Sequence, residues 1–408
     1  MNQPTPAIVT QAAVRRLPRW ALLLFCAAYV LPGFLGREPW KLADVAAFGA
    51  MLEMASGTGS WMLPSVLGQP LADPALLPYW LGAAAMRALP FLEPAFAVRL
   101  PFMALLGATL SAIWYTVYHL ARQPAAQPVV FAFGGEAHPT DYARALADAG
   151  LLALMACLGL AQLSHETTPD LARLTGVAVL LLGAARLLSP DAPRPWRSLL
   201  IWTAGALLLA LSDAVLPLAA LGLAWVLAMV TRRSRAAWPA ALIWLAALVL
   251  GEWLGGGLAP SGWTPRTDDA GSFARLLLWF TWPAWPLALW TLWRWRRQWL
   301  APHVALPWWL VVVGVLTSAL ADERDRALLT ALPGLAALAA FALPTLRRSV
   351  SALIDWFTLL FFSGCALIIW VIWMAMMTGV PAKPAANVAK LAPGFVPEFG
   401  LLHFVLGT

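Results

Sequence analysis

Apolar windows of about 18 or more residues recur along the whole chain, and stretches of that length are what a helix needs to cross a bilayer. GLLALMACLGLA and GVAVLLLGAA flank residues 163–174, and SALIDWFTLLFFSGCALIIW is their counterpart near the other end. Backbone groups in lipid must find their hydrogen bonds within the chain, and helices do this. The alternating ten-residue pattern of an outer-membrane barrel is absent. Of the 408 residues, 61% are hydrophobic and 12% charged. A soluble domain carries about 25% charged residues. The expected fold is therefore all-α, a polytopic transmembrane bundle of about eleven spans.

The net charge of +7 does not point to nucleic acid, because Lys and Arg collect in the cytoplasmic loops of membrane proteins. Arginine placement orders the spans. Arg15, Arg16 and Arg19 place the N-terminus, 1–19, in the cytoplasm, and the first span, 20–36, is read as uncleaved. Further spans follow at 98–121, 146–164, 171–188, 197–211, 214–230, 237–254, 275–293, 304–320, 327–344 and 351–378. A transmembrane region 20–378 then contains one long outer loop, 37–97, and 379–408 forms an outer tail. Within that loop, 43–56 and 75–89 read as interfacial helices. Every arginine cluster faces the cytoplasm except Arg324 and Arg326, which alternate with acids in DERDR. Cys26, Cys157 and Cys365 lie in apolar runs and form neither a disulfide framework nor a metal spacing. Many of the 24 Trp flank spans, where indole favours the interface.

The stretch LSHETTPDLARL, 163–174, concentrates ionisable groups at an outer span junction. Asp170 is expected to cap the helix after Pro169, because Asp is favoured at that position. His165 at a span end can complement the carbonyl end of the helix.

The outer loop then carries a resemblance. Trp40 to Asp44 reads W-x-x-x-D after the first span. SGTGSWMLPSVLGQP follows, close to SGDWxxPxxNGxP, and DPALLPYWL is close to (D/E)KPPLxYWL. TPD after the third span and WFTWPAWPLALW later in the chain complete an ordered series over residues 20–345. The series resembles GT-C superfamily glycosyltransferases, the aminoarabinose-transferase and protein-mannosyltransferase-like branch. The resemblance implies a bacterial inner-membrane enzyme with a periplasmic active site. Such an enzyme moves a sugar from a polyprenyl-phosphate donor to a lipid, glycan or protein acceptor, as in lipid A or cell-envelope glycan modification. Asp44 falls on the first-loop acid, a base or a positioner of the acceptor and of any divalent cation. Asp170 falls on the second acid and would share that cation, with Glu166 beside it. Asp73 and Tyr79 belong to the substrate-binding segment. A leaving phosphate needs cations, and Lys41, Arg266, Arg275 and Arg324 are the candidates.

The chain also departs from the branch. DExRY becomes Asp44-Val45-Ala46-Ala47-Phe48, the (D/E)K pair becomes Asp73-Pro74, and Asp213 stands where a lysine is common. The family usually has about two more spans and a periplasmic C-terminal domain, so the expectation is a truncated product or a shorter relative. The alternative expectation is a non-catalytic membrane subunit or lipid-binding protein on a decayed scaffold of the same kind.

Overall fold

The computed structural model describes residues 5–14, 17–36, 38–71, 73–189, 195–254, 270–391, 394 and 396–401. Almost everything in it is helix; the one described hairpin pairs Ser65–Val66 with Gln69–Pro70. The hairpin turns at Leu67 and Gly68, both at positive φ (52° and 76°), as a two-residue connection matching strand twist requires. It lies between two helices, Leu42–Ser56 and Leu77–Ala88. Both agree with the interfacial helices expected at 43–56 and 75–89.

The chain divides into two units, Met1–Thr345 and Leu346–Thr408. In the first, the core is built around Pro169–Leu187, nearly all of whose residues are buried. Arg99–Ala121 and Pro195–Ala210 pack on it. In the second, Arg348–Thr378 is apolar all round and ends at Gly379, whose φ of +74° closes it in the left-handed conformation. Four described helices are long and apolar enough to cross a membrane by length and composition: Pro94–Ala121, Pro302–Leu320, Arg324–Thr345 and Ser349–Thr378. The helix Pro169–Leu187 carries Asp170, Arg173 and Arg186 and is covered by its neighbours, so its side chains need not be lipid-compatible.

Two expected spans are broken, at positions that meet. The third, expected as one helix over 146–164, is Pro139–Ala156 followed by Leu158–Leu163. Cys157 between them is extended, and the Leu158 N–H leaves the helix to bond the Trp282 carbonyl at 3.1 Å. The eighth, expected over 275–293, is Ala270–Phe280 and Ala284–Arg294, interrupted at Thr281-Trp282-Pro283. Proline has no N–H to continue a helix. The Trp282 carbonyl, whose helical partner four residues on would be Pro286, instead receives the Leu158 N–H, so the two breaks meet in one hydrogen bond, as buried backbone demands. At the N-terminal end, the segment 5–14 lies along the connector 122–138: Val129, Ala137 and Gln11 N–H groups bond Ala7, Val9 and Gly135 carbonyls at 2.9–3.0 Å.

Small residues set the closest helix approach. A Cβ on Gly205 would stand 2.5 Å from the Leu180 backbone nitrogen, and one on Gly183 would stand 2.9 Å from the Trp202 Cα. Backbone cannot move aside as a flexible side chain can. Gly205→Ala is therefore expected to lower stability by about 1–3 kcal/mol, although alanine favours an isolated helix. Thermal unfolding of the detergent-solubilised variant measures it, and an unchanged melting temperature would mean that the two helices are not this close.

Candidate functional site

Five separate segments deliver charge to one end of the bundle. The turn between Leu163 and Pro169 carries Glu166 and Thr167, and the next helix opens with Asp170 and Arg173. Lys41 precedes the helix Leu42–Ser56, and Asp44 lies in its first turn, where a carboxylate is favoured by the helix dipole. Asp73 follows the hairpin, Asp213 sits in the turn before Val215–Thr231, and Glu323 and Arg326 lie at the start of the last core helices. Leu76 and Leu77 N–H groups both bond the Leu211 carbonyl at 2.9 Å, which pins the Asp73 segment against the Asp213 turn.

The side chains form an alternating chain of charge. Lys41 Nζ lies 2.6 Å from Glu166 Oε1, and Glu166 is fully buried. Arg326 Nη2 lies 2.9 Å from Glu166 Oε2, as an ion pair off the line of a hydrogen bond. The same guanidinium reaches Asp170 Oδ2 at 2.9 Å through Nη1, and Glu323 Oε2 at 2.8 Å through Nε. Asp170 Oδ1 is 3.2 Å from Arg173 Nη1. Arg173 Nη2 then reaches both Asp73 oxygens at 2.7 and 2.8 Å, while its Nε donates to the Ser212 carbonyl at 2.8 Å. Asp44 joins through the turn: its Oδ1 accepts from the Thr167 N–H at 2.8 Å and the Thr167 hydroxyl at 2.7 Å.

Of the residues read from the sequence, Lys41, Asp44, Asp73, Glu166 and Asp170 come together. Tyr79 is buried beside them, its hydroxyl 3.4 Å from the Asp73 carbonyl, and burial pushes its phenol well above the ordinary value. Arg275 is turned along its own helix, with Nε 3.4 Å from the Gly271 carbonyl. The Arg324 guanidinium lies over the Phe273 ring, 5.5 Å from its centroid. Arg266 lies outside the described residues. The two arginines that hold the acids are Arg173 and Arg326, which the sequence reading did not select. Both left a signal. Arg173 is three residues from Asp170 on one helix face. Arg326 belongs to the one cluster that violated the cytoplasmic bias of arginine, and a misplaced charge calls for a function.

One expectation is corrected. Asp170 is not the helix cap: Thr168 holds that position, without a side-chain cap bond, and Asp170 is the second residue inside, with both oxygens on arginines. Among the described residues no group of three or more His, Cys, Asp or Glu is arranged to hold a metal ion, and the Asp170 oxygens face guanidinium groups. His165 faces the first helix, with Nε2 2.9 Å from the Tyr29 carbonyl and its ring against Tyr29 and Phe34. Gly33 makes room for that ring.

Asp213 is the outlier of the network. Burial raises its carboxyl from 3.8 to about 6, against Arg173 4.0 Å away, and Asp73 adds to the rise. A carboxyl whose folded value is raised stabilises the fold below its unfolded value, and that contribution is lost as pH rises from about 4 to about 6. Its φ of +54° suits Asn as well as Asp. Asp213→Asn is thus expected to remove part of the decline in stability between pH 4 and 6 and to cost nothing at pH 7. Melting temperatures of both proteins across that range test it, and parallel curves would count against the raised value.

The helical membrane bundle has a GT-C-like fold. ArnT from Cupriavidus metallidurans has this fold: its crystal structures bound to undecaprenyl phosphate and in the apo state each match with a TM-score of 0.62 at 15% identity. The match covers 93% of this chain and 66% of ArnT, so the chain spans just under two thirds of that protein's length. No family model and no curated protein matches the sequence.

Proposed function

We propose that this chain is a membrane glycosyltransferase that moves a sugar from a polyprenyl-phosphate donor to a lipid, glycan or protein acceptor on the periplasmic face of a bacterial inner membrane. The observation that carries the reading is the convergence of Lys41, Arg173 and Arg326 with Asp44, Glu166 and Asp170 at one end of the bundle. The fold likeness supports it, and ArnT is a protein crystallised with undecaprenyl phosphate. In the proposed step an acceptor hydroxyl oxygen attacks the anomeric carbon. The bond from that carbon to the phosphate oxygen breaks, and polyprenyl phosphate leaves. Asp44 takes the hydroxyl proton. Lys41, Arg173 and Arg326 supply the cations that stabilise the phosphate charge, with Arg suited to bidentate contact. Glu166 and Asp170 hold the two arginines in place and keep their charge balanced until phosphate competes for them.

A second reading, a lipid-binding subunit without turnover, is favoured by one observation: both arginines are already engaged by carboxylates on most of their donors. The test is release of polyprenyl phosphate from a labelled polyprenyl-phosphate sugar by the purified full chain. Asp170→Asn keeps the shape but removes the charge between Arg173 and Arg326. It is expected to lower turnover about 100-fold and stability by about 1–3 kcal/mol. Full activity in this variant would remove Asp170 from the site; donor binding without turnover in the unaltered chain would leave the second reading.

A further inference from the structure

At the opposite end of the bundle a cavity of about 730 Å³ is lined by Arg232, Arg297, Gln123, Ser189 and Ser234, with Thr5 from the N-terminal segment. A smaller one, about 310 Å³, adjoins it through Arg297 and adds Arg294 and Arg296. Among the described residues, no carboxylate lines either. Arg232 is anchored by its Nη2 on the Leu300 carbonyl, and Arg297 makes no hydrogen bond or ion pair among the described residues. This is the reverse of the outer site, where acids occupy every arginine of the network.

Three helices fix the distance between the two. Pro169–Leu187, Val215–Thr231 and Pro302–Leu320 each run from the carboxylate network at one end to the cavity at the other. They contain 17 to 19 residues, about 25–29 Å at the helical rise, close to the hydrocarbon thickness of a bilayer. The cavity therefore opens at the headgroup level of the other leaflet. The helix starting at Pro302 points its N-terminus into it, and the positive end of the helix dipole favours an anion there.

We propose that this cavity binds a phosphate group, supplied by an anionic lipid headgroup or by a soluble phosphate, independently of the transfer reaction. Guanidinium groups free of internal acids pair with phosphate through charge-assisted hydrogen bonds, and basic pockets between spans take up anionic headgroups. The serine hydroxyls and the Gln123 amide, which already donates to the Leu188 carbonyl at 2.9 Å, supply the polar wall.

The test uses the full chain in neutral detergent, titrated with phosphatidylglycerol, with inorganic phosphate and with phosphatidylcholine, and read by thermal shift and native mass spectrometry. Arg235, exposed and outside the cavity, is the control for charge alone. Phosphatidylglycerol or phosphate is expected to bind the unaltered chain and Arg235→Gln alike, and to bind Arg232→Gln/Arg297→Gln at least about tenfold more weakly. Binding of phosphatidylglycerol alone assigns the lipid headgroup; saturation by inorganic phosphate assigns the soluble group. Arg297→Gln by itself removes no hydrogen bond and gives the same direction if the double variant fails to fold. Equal binding by the arginine variants, an equal loss in Arg235→Gln, or no preference over phosphatidylcholine overturns the proposal.

Discussion

Arg326→Gln is expected to destabilise the protein by about 3–5 kcal/mol, the cost of removing one partner from a buried ion-pair network. Arg326 is 12% exposed and meets three carboxylates. Their fates differ. Glu323 is 67% exposed and simply rehydrates, so its pair contributes little. Asp170 retains Arg173. Glu166 is fully buried and would keep only Lys41 against its charge. Most of the loss should therefore trace to Glu166, and Arg326→Gln/Glu166→Gln should recover more than half of it. Arg326→Lys should fall between the two, because an ammonium is a point charge that cannot serve three carboxylates in a fixed fork. Unfolding of these proteins and of Glu166→Gln in detergent gives the cycle. A single variant that melts with the unaltered chain would show that the network is not coupled.

Asp44→Asn should leave the fold intact and remove transfer. The Asn amide oxygen can still accept from the Thr167 N–H and hydroxyl, so the contact that ties the helix Leu42–Ser56 to the turn survives. What is lost is the charge and the capacity to take a proton. A general base contributes about 100- to 10,000-fold, so turnover should drop by at least the lower figure at an unchanged melting temperature. Undiminished turnover in the purified variant would take the base role away from Asp44. Together with Arg326→Gln this separates the two jobs of the network: Arg326 is expected to move stability first, and Asp44 activity first.

The local features were readable from composition and pattern. The two interfacial helices are where their apolar and polar spacing placed them, because amphipathic period and turn residues act within a few positions. The turn at Thr167-Thr168-Pro169 was equally plain, since proline starts a helix and cannot continue one. The breaks at Cys157 and at Thr281-Trp282-Pro283 were not. Cys157 sits in an unbroken apolar run, and nothing near it in sequence reveals that the Leu158 N–H would find the Trp282 carbonyl.

The sequence by itself determined that the chain is an all-helical membrane bundle, and which acids stand at its helix junctions, because bilayer thickness and backbone hydrogen bonding act on each segment separately. Only the tertiary structure decided which cations meet those acids. Arg173 meets Asp73 across 100 positions and Arg326 meets Asp170 across 156. An ion pair depends on the side chains coming within about 4 Å, and that distance is set by how whole helices pack. For that reason Arg326 holds the site while Arg324, two residues away with the same charge, lies over the Phe273 ring.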